Sequence, residues 1–81
     1  MWQVHKDSLR FISDQRLLAL ETRANREVNN AAVQAQYLEE VLEVDPDYLV
    51  RRVESGRYAV DDDVRYLYRK ALLAVEVSRP Q

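Results

Sequence analysis

The chain of 81 residues has no cysteine, one histidine, one glycine and two prolines. Without cysteine there are no disulfides, thiolate zinc sites or cysteine nucleophiles, and the composition suits a reducing compartment. So few glycines and prolines leave few points where regular structure must stop. No apolar run approaches the ~18–20 residues of a membrane span. The opening Met1-Trp2-Gln3-Val4-His5-Lys6-Asp7 also lacks the long apolar stretch of a signal peptide. The cytoplasm is therefore the expected compartment, with no membrane role. Charge of one sign is missing too. Twelve Lys/Arg stand against fourteen Asp/Glu, a net charge of −2, and neither half of the chain is a basic arm that would serve a general polyanion binder.

What is present is apolar residue in helical order. An apolar fraction of 47% with 32% charged residues is that of a folded protein. A chain this short forms one domain and buries only roughly 60% of its unfolded surface. Leu17, Leu20, Ala24, Val28, Ala31, Ala35, Leu38 and Leu42 recur at spacings of three or four, which predicts one long amphipathic helix over residues 14–44. Asn25, Asn29 and Asn30 offer a point of breakage, but the stripe keeps its phase across them and favours continuity. Leu9, Phe11 and Ile12 fall out of that phase, so residues 1–12 read as a short helix or arm. Asp45-Pro46-Asp47 starts a third helix over residues 46–55, stopped by Gly56. Asp61-Asp62-Asp63 opens a last helix over residues 61–78. The expected fold is all-α, a small bundle of three or four helices and a single domain over residues 1–81.

Little in this pattern supports chemistry. His5 and Ser8 lack an orienting acid and oxyanion donors. Glu39, Glu40 and Glu43 read as a solvated acidic face, because no helix carries the Glu-x-x-His pair of a di-metal bundle. Three adjacent aspartates at positions 61–63 fan around a helix start and do not converge on a cation. No catalytic residue, metal ligand or cofactor site is expected, and the chain reads as non-enzymatic. Arg51, Arg52, Arg57, Arg65 and Arg69 around a helix–turn–helix-like layout make a nucleic-acid-binding domain one alternative. Against it, three aspartates would lead the recognition helix into a polyanion.

Val53-x-x-Gly56-x-Tyr58-x-Val60-Asp61 is similar to the C-terminal motif of the flagellar anti-sigma factor family (FlgM). The resemblance covers residues 49–73. It implies a small transcription regulator that binds a sigma-like factor through its helices. The same residues also read as a helix C-cap, two apolar residues closing a corner, and an N-cap.

The apolar surplus gives the main expectation. Val33, Tyr37, Val41 and Val44 make a second stripe beside the first, while Tyr66, Leu73 and Val77 lie outside the main face of the last helix. Helices apolar on two sides must be covered on two sides, which a bundle this small cannot do alone. A protein-interaction or assembly module is the expected function, with Val33, Tyr37, Val41, Tyr58, Tyr66, Leu73 and Val77 as partner-binding residues. Homodimerisation or a higher oligomer is the commonest way to hide such a surface.

Overall fold

The computed structural model describes residues 15–78, which form four helices and no strand. They are α1 (15–26), α2 (Ala31–Val44), α3 (Pro46–Glu54) and α4 (Asp62–Ser78). The expected arm at residues 1–12 lies outside the described residues.

The single helix expected over residues 14–44 is two helices. Asn30 leaves helical geometry (φ −100°, ψ 95°), and its Oδ1 accepts from Val33 N at 3.2 Å, capping α2. Asn30 Nδ2 donates to Glu27 Oε1 (3.0 Å), and Asn30 N donates to Glu27 O (3.0 Å), which closes the turn. The carbonyls left open at the end of α1 are met from the next helix. Gln34 Nε2 donates to Ala24 O (2.8 Å) and Glu27 O (2.9 Å). The chain therefore doubles back. Arg16 reaches Glu40 (2.9 Å) and Tyr37 reaches Glu21 (3.0 Å), so α1 lies antiparallel along α2.

One residue joins α2 to α3. Asp45 N donates to Val41 O (2.7 Å) to close α2, while Asp45 Oδ1 accepts from Tyr48 N (3.1 Å) to open α3, with Pro46 in its first turn. Ser55 N donates to Arg51 O (3.0 Å) at the end of α3, and Gly56 follows at φ 72°. The connection to α4 is tied back to the α1–α2 turn, because Ala59 N donates to Val28 O at 2.7 Å. Asp61 Oδ1 then accepts from Val64 N (2.9 Å) and starts α4.

The core gathers Ala24 from α1, Val33, Ala35, Tyr37, Leu38 and Val41 from α2, Leu49 from α3, and Val64, Leu67 and Ala71 from α4. Leu17, Leu20, Leu42, Tyr48, Val50, Val53 and Tyr68 pack around it. Thus α2 is the central helix, with α1 over one side and α3 and α4 over the other.

Two substitutions test these joints. A Cβ added at Gly56 would meet nothing within 4 Å, so only the left-handed backbone resists it. Gly56→Ala should cost about 1 kcal/mol in urea unfolding, and Gly56→Asn less. Gln34→Ala removes the donor for two α1 carbonyls and should cost about 3 kcal/mol. A loss well under 1 kcal/mol at Gln34 would mean that water replaces its amide there.

Candidate functional site

The expected partner-binding residues divide into two groups. Val33, Tyr37 and Val41 are at most 5% exposed, because α1 folds back over the second stripe of α2 and fills the chain's own core with it. Tyr66, Leu73 and Val77 are 54%, 68% and 85% exposed. At 3.6 residues per turn these three fall within about 40° of one another, roughly opposite the buried Val64 and Ala71. Here α4 is apolar on two sides, and no described helix covers the outer one.

Tyr58 lies between the two groups. It is half-buried, with its ring 3.6 Å from the Arg52 guanidinium carbon. Arg52 is 5% exposed and also faces the Tyr37 ring at 4.8 Å. Its Nη2 donates to Gln34 Oε1 at 3.1 Å and its Nη1 to the Tyr48 hydroxyl at 3.3 Å, while Nε has no partner among the described residues. A buried cation with no carboxylate beside it is held by aromatic faces and a neutral amide. This node ties α1, α2, α3 and the 55–61 connection together.

An open groove of about 480 Å³ runs between the C-terminal half of α2 and the first half of α4. Leu42 and Leu67 contribute its apolar lining, Glu39 and Glu43 line the α2 side, and Asp63, Tyr66 and Lys70 line the α4 side. Glu39, Glu43 and Asp63 form no ion pair with any described residue. Lys70 Nζ sits 5.1 Å from the Tyr66 ring centre. The last turn of α2 has no basic residue, so the negative end of its dipole adds to the same side. Tyr66 joins the groove to the exposed line formed with Leu73 and Val77. Beyond the end of α2, Val44, Pro46 and Val75 extend the apolar surface. Leu42 was legible only as part of a core stripe, and Glu39 and Glu43 only as a solvated face. What makes them a groove is the approach of α4, which is a tertiary fact.

Among the described residues, no group of three or more His, Asp or Glu is placed to hold a metal ion. Nor is any helix there long and apolar enough to cross a membrane.

Residues 17–75 match the family described as "Yme1-like, N-terminal". The match runs from the first turn of α1 to the last turns of α4. The chain belongs to that family. No curated protein and no solved structure matches it. Membership of the Yme1-like N-terminal family overturns the resemblance to flagellar anti-sigma factors, which rested on residues 49–73 alone. The family match takes in α1 and α2 as well. The residues that carried the resemblance have local duties in this Yme1-like domain: Gly56 takes the left-handed turn, Tyr58 stacks on Arg52, and Asp61 caps α4.

Two tyrosines are held in the neutral form. Burial first, and then donation to Glu21, pushes the Tyr37 hydroxyl well above its ordinary range. Tyr68 is raised by its hydrogen bond to Glu54. A raised tyrosine pKa contributes stability that is intact below the unfolded value of about 10 and is lost as pH climbs toward the folded value. Unfolding free energy, followed in urea at a series of alkaline pH values, should therefore fall above pH ~10. Tyr37→Phe should flatten that fall. An unchanged slope in Tyr37→Phe would assign the alkaline loss to other groups.

Proposed function

We propose that the domain is a non-enzymatic docking module that binds another protein through the outer face of α4. The observation that carries this reading is the line of Tyr66, Leu73 and Val77. Three large apolar side chains more than half exposed on one helix face are what protein-binding surfaces present. The family description supports it, since an N-terminal domain is one portion of a protein and a small helical module suits recruitment. The sequence supports it as well, with no cysteine and a single histidine to offer a reaction. A second copy of the chain is the simplest occupant that symmetry allows.

The test places a photo-crosslinking residue at Leu73 or Val77 in the native host, with Asn25 on the exposed side of α1 as control. Crosslinks to a discrete protein are expected from the α4 positions only. Leu73→Glu combined with Val77→Glu should abolish them and leave stability within about 0.5 kcal/mol of wild type, as exposed positions allow. By contrast, Val41→Glu, in the core, should unfold the domain. Equal capture from Asn25 and from α4 would remove the basis for a dedicated face.

A further inference from the structure

We infer that the α2–α4 groove selects a basic amphipathic segment of a partner protein, one with an apolar face edged by lysine or arginine. The inference rests on the docking reading above and adds the chemistry of the occupant. Three observations converge on it. The apolar surface is continuous from Leu42 and Tyr66 to Leu73 and Val77, which suits the apolar face of a helix or an extended segment. Its rim is acidic on both sides, with Glu39 and Glu43 on α2 and Asp63 on α4, and Lys70 is the one cation lining it. Those three carboxylates are not neutralised by any described residue, although Glu27, Glu40, Asp47 and Asp62 elsewhere each have an arginine partner.

Charge also argues against a second copy as occupant. Two-fold pairing sets a surface against itself, so it would bring Glu39, Glu43 and Asp63 of both copies to one interface. Like charges juxtaposed there are repulsive, whereas a cationic edge turns the same rim into a guide for approach and register.

The test uses the full chain and two synthetic peptides that share one leucine-rich face. One carries lysine and arginine along its polar edge, the other glutamate. In fluorescence anisotropy at low salt, the basic peptide should bind about tenfold tighter or better, and the preference should shrink as salt rises. Glu39→Gln, Glu43→Gln and Asp63→Asn together should erase the preference without moving the thermal melt. Leu73→Ser with Val77→Ser should weaken both peptides. Equal binding of the two peptides, still weakened by the Leu73 and Val77 changes, would overturn the charge selection and leave the docking face standing. Binding indifferent to Leu73 and Val77, or no binding of either peptide, would overturn the docking face itself. A crosslinker at Leu73 that joins only a second copy, or only its own chain, would overturn the basic partner.

Discussion

The fold depends on one side-chain amide. Gln34 Nε2 donates to Ala24 O and Glu27 O at the open end of α1, and Gln34 Oε1 accepts from Arg52 of α3. An unmet carbonyl buried at a helix end costs about as much as a lost hydrogen bond, so a turn packed into the core needs a donor from elsewhere. Gln34 is 1% exposed and supplies it. The reversal at residues 27–30 then lets α1 lie back on α2. That packing buries Tyr37 and Val41, and α3 is positioned by the same amide through Arg52.

The helical class and the ends of α3 were legible because their causes are local. Asp45 caps, Pro46 tolerates the first turn, and Gly56 takes the positive φ, all within reach of neighbouring residues. The break at Asn30 was not legible, for a physical reason. A helical hairpin turns the apolar stripes of both helices toward one core, so periodicity carries through a short turn as it would through a continuous helix. Asn25, Asn29 and Asn30 marked the place without deciding it. The deciding group was Gln34, a polar residue whose partners lie seven and ten positions back in the chain. From that one missed reversal follows the placement of Val33, Tyr37 and Val41. A continuous helix needs an outside partner for its second stripe, whereas a hairpin supplies the cover itself. The surplus on α4 has no such answer, because α4 is the last helix and nothing described folds back over it.

Opposite charges are handled in different ways on the two sides of the molecule. The buried cation Arg52 sits among Tyr37, Tyr58, Tyr48 and Gln34, with no carboxylate within hydrogen-bonding reach among the described residues. A neutral amide and aromatic faces can hold a guanidinium there because its charge is delocalised and weakly hydrated. The carboxylates of Glu39, Glu43 and Asp63 stay at the surface, where water solvates them at little cost. They gather there because α2 ends, and α4 begins, along the same edge. Asp63 is favoured by the positive end of α4, whereas Glu39 and Glu43 sit near the negative end of α2 against its dipole. Helix stability therefore accounts for Asp63 and leaves the two glutamates without a structural reason.

That difference bears on which residues can change without loss of the fold. Val64, Leu67 and Ala71 on the inner face of α4 are fixed by packing density, since a core position resists both smaller and larger side chains. Tyr66, Leu73 and Val77 touch no such constraint. An exposed apolar side chain at these positions adds little to folding, and a polar one would serve solubility better. A single one would need no explanation, since scattered apolar residues are normal on protein surfaces. Three in one line, continuous with a groove whose glutamates run against the dipole of their own helix, are harder to assign to chance. Folding asks for neither feature; recognition of a segment that is apolar on one face and cationic along its edge asks for both.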